Sequence, residues 1–338
     1  MEGVNLSLFQ FDYDNTWTAF FLNADRTIYG RYGTRTHRDA AEDVSVAGFR
    51  ESLAAALVLH QHYPNNKASL AGKQARPTNK KRPEEFSQLA NFQPKLDYEG
   101  QVVKSCMHCH QIRDAERHEF RAAGKSIPDD VLFPYPMPDT IGLSFDPQQR
   151  AAVRSVTPKS VAAAAGFQKG DELLTLAGQP IVSIADMQWV LQHTADSAEL
   201  PATVRRGELE LKLTMKLSAG WRRTSDIAWR TTTWELRRMG FGGMWLVEAT
   251  PAERQSAGVP DDGLALRVKH VGQFGNHAVA KNAGFQVDDL IVAFDDLAKR
   301  HTESELLAHA VQRKRSGDVI AVKMRRRGEI IERILPLP

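Results

Sequence analysis

Cys106-Met107-His108-Cys109-His110 is the segment with the clearest chemical potential, and it contains both cysteines of the chain. The C-x-x-C-H spacing is typical of covalent haem attachment, in which two thiols on one helical turn add to the haem vinyl groups. The histidine that follows then reaches the iron as its proximal ligand. The segment therefore predicts a haem c held by Cys106 and Cys109, with His110 on the iron.

A second iron ligand is predicted at Met137, in the segment Tyr135-Pro136-Met137-Pro138. A methionine ligand raises the reduction potential of a haem, and flanking prolines stiffen the loop that carries it. The segment resembles the methionine loop of class I cytochromes c, in which the axial methionine also stands beside a proline. The alternative is that Met137 is a packing side chain at a domain junction.

Three other interpretations of the cysteine pair remain open, and one of them is that the two thiols have no chemical role. A C-x-x-C pair is also a thiol redox motif, so the two thiols could form a disulfide. Two cysteines and two histidines also complete a tetrahedral zinc site, with the histidines drawn from His108, His110 and His118. Either arrangement would make the segment a non-enzymatic clasp.

Composition indicates an ordinary globular chain of two to three domains. Of 338 residues, 42% are hydrophobic and 25% charged, and 44 Lys and Arg face 41 acidic residues. The net charge of +3 does not favour nucleic acid as a partner. No run of 18 apolar residues predicts a transmembrane span.

The second half of the chain is duplicated. Residues 165–174, AGFQKGDELL, recur as AGFQVDDLI at 283–291. Each copy continues with a capped helix and two strands joined by an Arg-Gly turn: Ser183 with Asp186 and Arg206-Gly207 in the first copy, Thr302 with Glu305 and Arg327-Gly328 in the second. Two tandem domains of one type are predicted.

The repeated pattern resembles the PDZ domain in its bacterial arrangement, as in the high-temperature-requirement proteases, over residues 140–217 and 240–338. The resemblance implies that an extended peptide adds beside a strand, with its terminal carboxylate held by a loop. The loop and strand residues are Gly142, Leu143, Ser144 and Phe145 in the first copy, and Gly243, Met244, Trp245 and Leu246 in the second. The second copy departs from the pattern at Asp288 and in an insertion at 252–262.

The first 63 residues predict three strands and a helix. The strands are expected at 6–11, 16–22 and 27–32, with a hairpin turn at 23–26, and the helix at 46–62. These residues resemble a bacterial family that joins thioredoxin-like and PDZ modules and includes selenocysteine-containing members. The strand–helix unit that carries the reactive C-x-x-C of thioredoxins is missing. One hypothesis is that a selenocysteine codon in that unit was misread as a stop, so that the sequence is given only from Met1 onward.

The predicted fold class is α+β and multi-domain, with two PDZ domains described as partly open β-barrels with helices. The expected divisions are a truncated thioredoxin-like unit at 1–63, a basic linker at 64–83, a mostly helical C-x-x-C-H segment at 84–141, PDZ domains at 142–218 and 240–338, and a Trp/Arg-rich linker at 219–239.

The leading functional prediction is a periplasmic or secreted protein, although no signal peptide is recognisable. Its PDZ domains would recruit protein or peptide C-termini, and its haem would exchange electrons with an electron-transfer partner. The alternatives are a non-enzymatic PDZ scaffold and a thiol or selenol oxidoreductase whose catalytic motif lies outside this sequence. No complete catalytic constellation is present, and the absence of Gly-x-Ser-x-Gly argues against a serine hydrolase.

Overall fold

The computed structural model describes residues 1–36, 42–90, 92, 97–100 and 105–338. Its contacts divide the chain into two compact units. Unit 1 contains residues 1–115 and 133–225, and unit 2 contains residues 116–132 and 226–338. The first repeat therefore shares a unit with the N-terminal residues, whereas the sequence predicts separate modules there.

The N-terminal part of unit 1 is a hairpin and a long helix. Strand β1 (Ala19–Leu22) pairs antiparallel with β2 (Ile28–Tyr32), and helix α1 spans Val46–Gln61, close to the predicted bounds. The Asp25 carboxylate accepts the Thr27 N–H and so fixes the turn between the strands.

The strand predicted at residues 6–11 is wrong. The Phe9 N–H bonds to the carbonyl of Asn5, which curls the segment into a turn. The apolar side chains that suggested alternation are used differently, because Phe9 and Phe11 both pack edge-on against Phe20. Period-two hydrophobicity was thus a sign of burial rather than of strand pairing.

The residues between the hairpin and the repeats form short helices. Helix α2 (Lys67–Leu70) and the following 3-10 turn lie in the predicted linker, yet Leu70 and Lys73 are buried. Helix α3 (Cys109–Ala122) begins at the second cysteine, and helix α4 (Asp129–Leu132) follows it. Met137 precedes a 3-10 turn at Pro138–Ile141.

The first repeat consists of two open sheets around one core. Strand β3 (Leu143–Phe145) pairs with β4 (Val153–Val156). The remaining elements are α5 (Val161–Ala164), β5 (Glu172–Leu176), β6 (Gln179–Pro180), α6 (Ile184–Gln192), β7 (Ala198–Arg206) and β8 (Leu209–Leu217). The second sheet has the order β6-β5-β7-β8. These sheets do not close, so the predicted barrel description is wrong, whereas the α+β, multi-domain class is confirmed.

The second repeat follows the first in its order of elements, except for one added helix after its first strand and the lack of a counterpart to β6 within residues 240–338. Helix α7 (Thr233–Phe241), which begins in the predicted second linker and ends two residues beyond it, precedes the first strand of this repeat. The elements are β9 (Met244–Glu248), α8 (Pro251–Ser256), β10 (Leu266–Val271), α9 (Val279–Asn282), β11 (Leu290–Phe294), α10 (Glu303–Arg313), β12 (Val319–Arg326) and β13 (Glu329–Pro336). The five strands form one sheet in the order β13-β12-β11-β10-β9. Helix α8 begins one residue before the insertion identified at 252–262 and overlaps its first half.

One ion pair recurs in both repeats with the same atoms. The Arg206 guanidinium donates to both carboxylate oxygens of buried Asp171 and to the Gly166 carbonyl. In the second repeat Arg326 donates in the same way to Asp289 and to the carbonyl of Gly284. The duplication read from the sequence therefore extends to internal geometry.

Among the described residues, no helix has the length and apolar character that a bilayer crossing requires.

Candidate functional site: the groove of the first repeat

The groove lies between strand β3 and helix α6. A left-handed turn at Gly142, with φ of 86°, leads from the 3-10 turn at 138–141 into β3. A side chain at this position would collide with Ser160, because an added Cβ would lie 2.1 Å from the Ser160 Cβ. Glycine is thus required both for the backbone conformation and for the close approach.

The four predicted peptide-binding residues of the first copy divide into two kinds. Leu143 and Phe145 belong to the hydrophobic core, whereas the Ser144 hydroxyl accepts a hydrogen bond from Arg154. The Gly142 N–H donates to the Asp139 carbonyl at 2.9 Å and is already engaged within its own turn. The binding of a terminal carboxylate by this loop stays a prediction.

A pocket of about 40 Å³ lies where β3 faces the start of α6. Its walls are Leu143, Ser144 and Phe145 on one side and Ile184 on the other, and they are completed by Glu42, Asp43, Met137, Pro138 and Asp139. Space of this size suits a few water molecules rather than a residue. A peptide in this groove would therefore displace part of the lining.

The segment before the groove is bound to helix α6 through its backbone. The Tyr135 N–H donates to the Gln192 side chain, and the Gln188 amide donates to the Tyr135 carbonyl. Gln188 and Gln192 are one helical turn apart, so they hold both polar groups of a single residue. Neither glutamine was recognised from the sequence, since their partner is a backbone group.

The opposite side of helix α6 is held by the N-terminal residues. The Asp186 carboxylate accepts the Arg31 N–H at 3.1 Å and lies 2.6 Å from the Lys73 ammonium. Gly30 permits this approach, since an added Cβ would lie 2.2 Å from Val182. Ser183 caps the helix as predicted, but the Asp186 carboxylate accepts the Val182 N–H instead of completing the capping box.

The second copy places its corresponding residues differently. Gly243 again has a left-handed φ, of 90°, and Met244 and Leu246 are buried. The Trp245 ring carries the Lys269 ammonium 4.1 Å from its centroid. The Leu246 N–H donates to the carboxylate of Glu303, the first residue of α10, at 2.8 Å. Alignment of the two copies places Glu303 at the position of Ile184, but it does not reveal what the Glu303 carboxylate contacts.

The C-x-x-C-H segment lies at the start of helix α3. Cys106 and Cys109 are free thiols, both half-buried, and burial raises the pKa of the Cys109 thiol. Met107 between them is buried, and its backbone binds the Met1 ammonium and the Glu2 carboxylate. The His110 ring stacks on His108 with centroids 5.6 Å apart.

These residues fit the haem and zinc predictions to different degrees. Cys109 and His110 lie in the first turn of α3, whereas Cys106 precedes the helix by three residues, so covalent haem attachment stays a prediction. His118, one of the three histidines considered as zinc ligands, instead contacts the Glu235 carboxylate through its ring nitrogen. Within the described ranges, the only three potential ligands whose donor atoms lie within 4.8 Å of one another are Asp295, Asp296 and His309. The Met137 sulfur accepts a hydrogen bond from Thr34, so its role as an iron ligand stays a prediction.

Comparison with known proteins identifies one domain of the chain. Residues 139–217 match the PDZ domain family, so the first repeat is a PDZ domain. A serine endoprotease from Yersinia pestis is 21% identical over 20% of this chain, with a TM-score of 0.19, and this chain covers 25% of its length. The HtrA3 PDZ domain bound to a phage-derived ligand (FGRWV) is 24% identical over 22% of this chain and 81% of that chain, with a TM-score of 0.20. No curated protein matches.

Proposed function

We propose that this protein is a recruitment protein whose first PDZ domain binds an extended peptide between β3 and α6. The observation that carries the proposal is the unpaired edge of β3. In the described part of the chain β3 pairs only with β4, and the pocket beside it contains Ile184 of the groove helix. A peptide strand added at such an edge gains backbone hydrogen bonds, while pockets select alternate side chains.

The duplicated ion pair and element order support a second PDZ-type domain at residues 240–338. In this proposal the second domain is related to the first by duplication, and recruitment rests on the first groove. The partner is a protein or peptide with an extended segment, preferentially a C-terminus, as the PDZ resemblance implies.

The test is a peptide display screen against the full chain, followed by titration of the selected peptides by fluorescence anisotropy. Ile184→Glu places a charge in the pocket and is expected to weaken binding at least 10-fold. Ile330→Glu, on an exposed position of β13, is the matched control and should leave the affinity unchanged. Selected peptides that bind Ile184→Glu as tightly as the unmodified protein would contradict this site.

A second candidate function is electron transfer through a covalently attached haem, which requires an extracytoplasmic location. It is favoured by the free thiols of Cys106 and Cys109 and by the place of His110 in the first turn of α3. When bound, the haem would supply a one-electron redox centre. Coexpression with a periplasmic haem-attachment system tests this: reduced absorption bands that survive denaturation and vanish in Cys106→Ala/Cys109→Ala support it, and a colourless protein refutes it.

A further inference from the structure

The two groove helices begin with residues of opposite character. Ile184 follows the N-cap Ser183 in the first repeat, and Glu303 follows the N-cap Thr302 in the second. Because the repeats share the same Arg–Asp ion pair and, apart from β6 and α8, the same order of elements, these two residues occupy corresponding positions. One groove therefore begins with an apolar side chain and the other with a carboxylate.

The Glu303 carboxylate is buried and fully engaged. Its side chain is 4% exposed and lies 2.6 Å from the Arg237 guanidinium of α7. The same carboxylate accepts the Leu246 N–H from β9. Strand β9 is at the edge of its sheet, so this N–H is one that an added peptide strand would otherwise use.

Helix α7 packs against both sides of the same groove. Arg237 bonds to Glu303 on α10, and its guanidinium also lies over the Trp245 ring on β9. Gly240 lets α7 approach α10 closely, since an added Cβ would lie 3.0 Å from the Ala310 Cβ. Helix α7 thus contacts both walls between which a peptide would lie.

We infer that α7 and the Glu303 carboxylate act as an internal ligand, so that the second repeat takes no free peptide and each chain binds one peptide, in the first repeat. Only the expected stoichiometry of one peptide per chain rests on the proposed function. A competing peptide would have to separate a buried Arg–Glu pair and leave each charge without its partner, which weakens binding by on the order of 100-fold or more. The residue at the start of the groove helix is the specificity determinant that separates the two repeats.

Amide hydrogen exchange on the full chain tests, without any peptide, whether α7 and Glu303 occupy the second groove. The Leu246 amide should be protected to a degree similar to Val268, whose N–H bonds to the Asp289 carbonyl at 2.8 Å inside the same unit. In Arg237→Leu/Glu303→Ile, which removes both charges together, Leu246 exchange should accelerate at least 10-fold while Val268 stays protected. Rapid exchange of Leu246 in the unmodified protein would overturn the inference even if the double variant fails to fold.

Peptide stoichiometry by calorimetry is the second measurement. One equivalent of bound peptide is expected for the unmodified protein, and Ile184→Glu should weaken the binding of that one peptide at least 10-fold. Two equivalents in the unmodified protein would overturn the inference. If no peptide binds at all, the proposed function fails, but the protection of Leu246 still decides whether the second groove is internally occupied.

Discussion

Lys73 and Asp186 form an ion pair in which both side chains are about 1% exposed, with the ammonium 2.6 Å from a carboxylate oxygen. The two residues are 113 positions apart in the chain. Asp186 lies in the first turn of the groove helix α6, so the pair joins the N-terminal residues to the PDZ domain within unit 1.

Removal of the Lys73 ammonium should therefore destabilise unit 1. Lys73→Met leaves a buried carboxylate without its counter-charge, which typically costs about 3–5 kcal/mol. Asp186 keeps the Arg31 and Val182 N–H groups, so we expect the lower end of this range. Lys67→Met is the control, because its pair with Asp25 is exposed and screened by solvent, so its loss should leave the stability nearly unchanged. Urea unfolding measures both; a loss below about 1 kcal/mol in Lys73→Met would show that the pair contributes little.

The left-handed turn before each buried aspartate gives a second prediction. Gly170 has a φ of 91°, and Asp288 stands at the same point of the second repeat with a φ of 71°. Gly170→Ala should cost about 1 kcal/mol through backbone strain alone, since nothing lies within 4 Å of an added Cβ.

The converse change, Asp288→Gly, relieves that strain but removes an exposed contact with Arg267 at 3.2 Å. These effects oppose each other, so the free energy of unfolding should change by less than about 1 kcal/mol. Thermal unfolding of both variants compares the repeats directly, and a large loss in Asp288→Gly would show that the Arg267 contact dominates.

His193 predicts a pH dependence of unit 1. Burial lowers the pKa of His193 to about 4, although the Trp189 carbonyl at its Nδ1 acts in the opposite direction. The pKa of this histidine is lower in the folded state than in the unfolded state, where it is about 6.5. As the pH falls from about 6.5 towards 4, the unfolded state binds the proton and the folded state does not, so the free energy of unfolding decreases.

Between pH 7 and 4.5 the loss should be on the order of 2 kcal/mol, and His193→Gln should remove this part of the acid sensitivity. Urea unfolding across this pH range, with the exposed His62→Gln as control, measures the difference. Parallel pH profiles for His193→Gln and the unmodified protein would contradict the prediction.

The sequence predicts local and repeated features well and long-range partners poorly. The hairpin at 23–26, helix α1 and the duplicated order of elements follow from turn residues and periodicity within short windows. The Glu303 contact does not, because its partner Arg237 lies 66 residues away on a segment interpreted as a linker. Lys73 likewise falls in the predicted basic linker, since nothing nearby in the chain reveals its buried partner.

The same principle explains the errors at residues 6–11 and in the sheets. Alternating apolar residues specify which side chains are buried but not what covers them, and ring contacts with Phe20 replaced a strand partner. Sheet closure depends on pairing between distant strands, which residue patterns within one repeat do not encode.

The discontinuous make-up of unit 1 has a consequence for biosynthesis. The Arg31 backbone and its acceptor Asp186 are 155 residues apart, so at about 5–20 residues per second the ribosome needs roughly 8–30 s to supply the second partner. During this interval the nascent N-terminal segment lacks its docking surface on α6, with Tyr29, Tyr32 and Leu70 packed only against local neighbours. The emerging chain is therefore expected to engage chaperones before the first repeat has been translated.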